Sequence, residues 1–172
     1  MLIRPEDPTD ASAIASLIER AFAGAPHADG SEAGIVAALR AAGALAVSLV
    51  AEADGALAGH VALSAVTIGT IGTTGDGTAH WYGLGPIAVA PGLQRRGIGS
   101  RLVRAGLARL AEMGAAGCVV LGDPAYYRRF GFAVQPGLVL PGVPADHFMA
   151  LPFGPARPQG AVAYHAAFTA AG

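Results

Sequence analysis

The chain has 172 residues, of which 53% are hydrophobic and 13% charged, with a formal net charge of -1. That length suits one ordinary domain over 1–172 with a real core, and the near-neutral charge leaves no electrostatic footprint for nucleic acid or an acidic membrane surface. No apolar run is long enough to cross a bilayer, and Glu6 and Asp7 stand where a signal peptide would carry its apolar segment, so the expected location is the cytoplasm.

Leu2 to Arg4, ahead of Pro5, predicts a short first strand. From Asp10 to Ala23 the residues Ile14, Leu17, Ile18 and Phe22 fall on one face and Ser12, Ser16, Glu19 and Arg20 on the other. This spacing predicts an amphipathic helix, with Asp7 or Thr9 as its cap. A loop over 25–30 leads to a second helix, Ser31 to Ala42, which presents Ile35, Val36 and Leu39 and ends at Gly43. Two strands, 44–53 and 56–68, flank Asp54-Gly55, a strong hairpin signal. His60 lies in the second of them, as a histidine hydrogen-bonded near the sheet. The run 69–78 is rich in glycine and threonine and reads as a mobile hairpin loop.

Trp81 and Tyr82 open a central strand. Within it Gly85-Pro86 removes one ladder N–H and predicts a bulge. The apolar stretch Leu84 to Ala90 stops at Pro91-Gly92, and Gln94, Arg95, Arg96, Gly97, Ile98 and Gly99 lead into a helix from Ser100 to Met113. The large apolar residues at 98, 102, 103, 107, 110 and 113 give that helix one buried face. Gly114 and Gly117 end it, and Cys118 to Leu121 is apolar enough for a strand buried on both sides. Strand, helix and strand make a right-handed parallel crossover.

The loop before that helix holds several N–H groups without an intrahelical acceptor, at the positive end of the helix dipole. Glycine at 97 and 99 lets a phosphate approach the main chain, and Arg95 and Arg96 add charge that pairs with it. A pyrophosphate is the natural guest, although glycine turns before helices are common throughout α/β proteins. Two familiar nucleotide signatures are missing. The chain has no lysine for a Gly-Lys-Ser/Thr phosphate loop, and the turn lacks Gly-x-Gly-x-x-Gly with a following acidic residue.

Further along, Asp123-Pro124 predicts a capped short helix carrying Ala125 to Phe130. Phe132 to Val134, His147 to Phe153 and Gly160 to Phe168 read as further strands. Cys118 has no internal disulfide partner and reads as a buried, inert thiol. The five histidines lie far apart, without metal-site spacing, so no metal is expected.

Gln94 to Gly99 after the strand Ile87 to Pro91 resembles the acyl-CoA pyrophosphate loop of the GNAT superfamily of N-acyltransferases. The run from Tyr127 to Phe132 resembles that superfamily's Tyr-x-x-x-Gly-Phe segment. Together with Gly122 to Tyr126, the pattern is similar to a bacterial branch known only as predicted acetyltransferases, and it covers roughly residues 80 to 134. The resemblance implies a mixed, mostly antiparallel sheet of about seven strands with one parallel pair and about four flanking helices. It implies acetyl-CoA as co-substrate and a primary amine, small molecule or peptide, as acceptor, attacked directly in a ternary complex. A homodimer is compatible with it.

By the same resemblance, Ile87, Ala88 and Val89 meet the acyl group and pantetheine arm, and Gln94, Arg95, Arg96, Gly97, Ile98, Gly99 and Ser100 hold the pyrophosphate. The backbone N–H of Ile87 serves the acyl oxygen, and Tyr127 protonates the thiolate. Tyr127 also has a purely structural role open to it, as one of an aromatic cluster with Tyr126, Phe130 and Phe132. Family members with a glutamate on the central strand use it to take the amine proton, but residues 81 to 90 contain no carboxylate. His80 is the foremost base, with Asp123, His60 or a water chain as alternatives, and a solvent-exposed strand end is its bland reading. His27 and Asp29 line the acceptor pocket or are ordinary loop residues. A domain that binds acyl-CoA or a metabolite as a sensor, without turnover, would keep the loop but would not need Tyr127.

Overall fold

The computed structural model describes residues 1–26, 28–69 and 80–170. His27 and the loop expected at 69–78, apart from Gly69, therefore lie outside the described residues. The elements are β1 (Leu2–Pro5), α1 (Ala11–Phe22), α2 (Glu32–Ala41), β2 (Val47–Ala53), β3 (Ala56–Ala65), β4 (Thr67–Gly69), β5 (Trp81–Val89), α3 (Ile98–Glu112), β6 (Gly117–Leu121), α4 (Pro124–Tyr127), β7 (Leu138–Val139), β8 (Phe148–Pro152), β9 (Gly160–Ala163) and α5 (Ala167–Ala170). The hydrogen-bonded strand orders are β1-β2-β3-β5-β6-β8 and β4-β9-β7. The chain divides into two compact units, one of residues 1–64, 85–109 and 165–172, the other of 65–84 and 110–164.

In the first unit, β1 runs antiparallel to β2, and β2 to β3, with an irregularity at Ala51/Glu52. Asp54 and Gly55 both have positive φ, 52° and 79°, the geometry of the tight hairpin turn that Asp-Gly predicts. α1 begins after a 3-10 turn, Pro8–Asp10, closed by a capping box between Asp7 and Asp10. Ile14 and Ile18 of α1 pack with Val36 of α2, Val50, Ala62 and Ala88 in one apolar cluster. Ile35 and Leu39, on the same α2, close over Ala167 of α5. Ile98, Leu102 and Val103 form the buried stripe of α3.

In the second unit, β5 runs parallel to β6 from Trp81↔Gly117 to Leu84↔Val120, and the register ends there. β6 continues antiparallel to β8, and β9 joins β4 antiparallel and β7 parallel over two residues. Trp81, Val119, Phe148, Ala150 and Val162 lie at the heart of this unit's core.

Several expected boundaries moved. The strand expected at 132–134 is a single bridge, Ala133↔Ala150, and the strand expected at 56–68 is divided into β3 and β4. The strand expected at 160–168 stops at Ala163, and His165 Nδ1 accepts the Ala167 N–H at 3.0 Å to start α5. A side-chain acceptor at that position competes with further pairing. Among the described residues, no helix is long and apolar enough to cross a membrane.

Candidate functional site

The loop from Ala90 to Gly97 belongs to the first unit together with the second half of β5. Ala90 N–H still donates to the Ala58 carbonyl at 2.9 Å, after which Leu93 N–H turns back to Ala90 in a 3-10 turn over Pro91–Leu93. Gln94 Nε2 donates to the Val89 carbonyl at 3.2 Å and ties the loop to the strand end. Arg95 and Gly97 both take positive φ, 63° and 85°. These two left-handed residues reverse the chain into α3, whose ladder opens with Arg101 N–H to the Gly97 carbonyl at 3.1 Å. Helix geometry leaves the amides of Ile98, Gly99 and Ser100 without acceptors of their own. Among the described residues, a Cβ built on Gly97 meets no atom within 4 Å.

Gln94, Arg95, Arg96 and Gly97 are exposed, Gly99 and Ser100 half-buried, and Ile98 is buried as the first anchor of α3. Main-chain donors at the positive end of a helix of fifteen residues, flanked by two exposed guanidinium groups, have the chemistry to receive an anion. Ile87 and Val89 are half-buried, whereas Ala88 turns its methyl into the α1/α2 cluster. Strand alternation thus leaves Ala88 only its backbone for a ligand.

The second unit holds Tyr127 and His80. Asp123 accepts the Ala125 N–H at 2.9 Å, and Pro124 occupies the first turn of α4, as Asp-Pro predicts. Tyr127 is 8% exposed and sits edge-on to Tyr126 at 5.0 Å and to Phe132 at 5.9 Å between ring centres. These edge-on contacts are those of the aromatic cluster that the packing reading expects. Burial, with Tyr126, Cys118 and Asp123 adding to it, pushes the Tyr127 phenol well above its ordinary range, so it keeps its proton through neutral and mildly alkaline pH.

Gly122 makes room for that ring, since a Cβ there would stand 2.5 Å from Tyr127 Cε2 and 3.1 Å from Cδ2. Gly122→Ala is expected to displace Tyr127 and destabilise the fold by about 1–3 kcal/mol, the usual range for overpacking. A urea titration reads this as a lower midpoint at an unchanged slope.

His80 is exposed on the turn before β5, with φ of 74°, and its carbonyl accepts the Ala116 N–H at 2.8 Å. Cys118 is fully buried, and burial raises its thiol pKa far above normal. Such a thiol is no nucleophile at neutral pH. His60 is likewise fully buried in the first unit, and its ring is engaged by Ser48, which removes it from the candidate bases. Asp29 is exposed and accepts from the Ser31 N–H and hydroxyl. Among the described residues, no group of three or more His, Cys, Asp or Glu is arranged to hold a metal.

The profile of the acetyltransferase (GNAT) domain family matches residues 2–135. The uncharacterized N-acetyltransferase YhbS of Escherichia coli K12 is 42% identical over 133 residues, covering 77% of this chain and 73% of its own. The crystal structure of a GNAT family acetyltransferase from Brucella melitensis, in complex with acetyl-CoA, superposes with a TM-score of 0.84 at 50% identity and 97% coverage of both chains. YhbS of Escherichia coli in complex with CoA superposes with a TM-score of 0.86 at 36% identity, over 98% of this chain and 91% of that one. The chain belongs to the GNAT family. It is an acetyltransferase.

Proposed function

We propose that this enzyme transfers the acetyl group of acetyl-CoA to a primary amine by direct attack in a ternary complex. The observation that carries the reading is the loop from Gln94 to Gly99, where left-handed Arg95 and Gly97 open the amide end of α3 to solvent. A diphosphate fits such donors. The bound acetyl-CoA and CoA of the Brucella and Escherichia coli relatives support the same guest.

In this reading the Ile87 N–H donates to the acyl oxygen, and the backbone of Ala88 and Val89 guides the pantetheine arm. The amine nitrogen attacks the thioester carbon, a C–N bond forms, and the carbonyl electron pair moves onto oxygen, where a preorganised N–H stabilises it. Collapse of this intermediate restores the carbonyl and breaks the C–S bond. Sulfur leaves with the electron pair and takes the Tyr127 phenol proton, while the nitrogen gives up its extra proton to His80, directly or through water. Proton return from His80 to Tyr127 through solvent resets the site. Buried Cys118 supports attack without a covalent acetyl-enzyme.

Isothermal calorimetry with acetyl-CoA, followed by free-thiol release on addition of a panel of primary amines, tests the proposal. Binding with turnover on at least one amine is expected. Tight binding with no turnover across the panel would instead make the chain a non-catalytic acyl-CoA module. Arg95→Ala and Arg96→Ala are each expected to raise the acetyl-CoA Kd at most about fivefold, because exposed charge pairs contribute no more than about 1 kcal/mol. Each should also flatten the dependence of log Kd on log salt concentration, measured by calorimetry between low and high salt.

A further inference from the structure

A second polar constellation, unrelated to the loop, lies in the first unit. Arg40 at the end of α2 grips Glu6 with two hydrogen bonds, Nε to Oε1 at 3.0 Å and Nη2 to Oε2 at 2.9 Å. Ser48 of β2 hydrogen-bonds the same carboxylate, and its Oγ lies 2.8 Å from His60 Nε2 of β3. His60 Nε2 is itself 3.8 Å from Glu6 Oε2. Glu6 N–H meanwhile donates to the Ser48 carbonyl at 3.0 Å. Four segments distant in sequence are thus joined through two buried or half-buried side chains on the sheet and one bidentate ion pair.

Proton bookkeeping sets the state of the histidine. Where the Ser48 hydroxyl gives its one proton to the Glu6 carboxylate, its oxygen accepts from His60 Nε2–H, and this assigns the tautomer. Nδ1 is then a bare lone pair, fully buried and without a hydrogen-bond partner among the described residues. A proton added there would create a buried N–H donor without an acceptor, a costly arrangement. Glu6 opposes that cost in part, and Arg40 on the same carboxylate works against its help.

We propose that Glu6, Arg40, Ser48 and His60 form a latch that fastens α2 and the segment after β1 to β2 and β3, and that protonation of His60 opens it. The other charges near His60 do not reverse this. Asp10 is occupied by Arg4, with Nη1 to Oδ2 at 2.7 Å, and Arg4 also holds Glu52 at 3.0 Å. On α1 the buried residues are Ile14, Leu17 and Ile18, on α2 the nearby charge is Arg40, and Gly85–Val89 of β5 carry none. Burial lowers the His60 pKa to about 4, Glu6 opposing and Arg40 reinforcing the shift. Burial raises the Glu6 carboxyl, but the hydrogen bonds from Arg40 and Ser48 outweigh it and hold the group below its ordinary value. Asp10 is lowered to about 2, chiefly by Arg4. Of these groups, therefore, His60 is the one whose proton binding differs between the closed and open forms above the carboxylate range and below about pH 6.5.

The closed form has the lower His60 pKa, so the open form binds the proton better. The contribution to closure is complete above pH of about 6.5, the ordinary histidine value, and is lost as pH falls toward 4. Between pH 7.5 and pH 5 the opening constant should rise about thirtyfold by linkage.

Hydrogen exchange on the full chain, corrected for the intrinsic pH dependence of amide exchange, reads this directly. Amides of α2 are expected to lose about thirtyfold in protection between pH 7.5 and 5, while buried amides of α3 change much less. His60→Gln keeps a side-chain donor for Ser48 and removes the titration, so its α2 protection should be independent of pH over that range. Unchanged wild-type protection, an equal response in α3, or a persistent pH response in His60→Gln would each overturn the latch. Should His60→Gln fail to fold, the wild-type His60 C2–H resonance decides: no inflection above pH 5 is expected, and an inflection near pH 6.5 would contradict the proposal.

Discussion

Replacing Gly97 by valine is expected to weaken acetyl-CoA binding by at least about 100-fold while leaving a folded protein. Gly97 has φ of 85° and an open space where a Cβ would stand. The added side chain meets no atom of the described residues, but it would enter the space through which, in the proposed function, a diphosphate approaches the amides of α3. A β-branched residue also resists a left-handed φ and costs about 1–3 kcal/mol of local strain. Relief of that strain would re-aim the amides around it. Hydrogen bonds to a charged group contribute about 1.5–3 kcal/mol each, so losing two of them exceeds the roughly 2.8 kcal/mol that a 100-fold change in Kd represents, at about 1.4 kcal/mol per tenfold. Gly92→Ala, in the same loop but without positive φ and with nothing within 4 Å, is the matched control. It should keep Kd within about twofold on the same scale. Wild-type affinity in a folded Gly97→Val protein, measured by calorimetry, would remove the loop from the site.

Tyr127→Phe should lower kcat by about ten- to a thousandfold with acetyl-CoA affinity nearly intact. The substitution keeps the edge-on ring contacts with Tyr126 and Phe132 and removes only the hydroxyl. Packing therefore predicts little change, and loss of the proton donor predicts a large one. This contrast separates the two roles that the aromatic cluster could serve. The donor must be protonated when the thiolate departs, and burial of the phenol favours its protonated form. Tyr126, half-buried and stacked under Arg129 at 4.6 Å, supplies the control, and Tyr126→Phe should retain most activity. Steady-state rates on an accepted amine, under conditions where chemistry limits turnover, make the measurement.

The turns that carry those two residues were legible in the sequence because each is tied to local chain geometry. The helical spacing of Ile98, Leu102 and Val103 and the glycine before them identify the start of α3 without tertiary information. Asp123-Pro124 announces α4 in the same way, and Asp54-Gly55 its hairpin. Interactions across sequence distance left no such trace. Nothing local links Glu6 to Arg40 or Ser48 to His60, and the partnership of the last two depends on the antiparallel register that sets Val50 opposite His60. The C-terminal segment misled for a different reason: its small residues carry neither strand nor helix periodicity, and the His165 cap, not hydrophobic pattern, decides where β9 gives way to α5. Phe132 is buried as a strand residue would be, yet its neighbour Ala133 forms only one bridge to Ala150.

Acetyl transfer in a ternary complex is tested most directly by intact-protein mass spectrometry during a single turnover. The enzyme, in molar excess over acetyl-CoA, is quenched at intervals first without and then with an accepted primary amine. Direct attack predicts an unmodified protein at every interval, no thiol release until the amine is present, and then release of one thiol for each acetylated amine. An enzyme that gained one acetyl mass before amine was added, and lost it to the amine afterwards, would contradict direct attack and require a nucleophile on the protein.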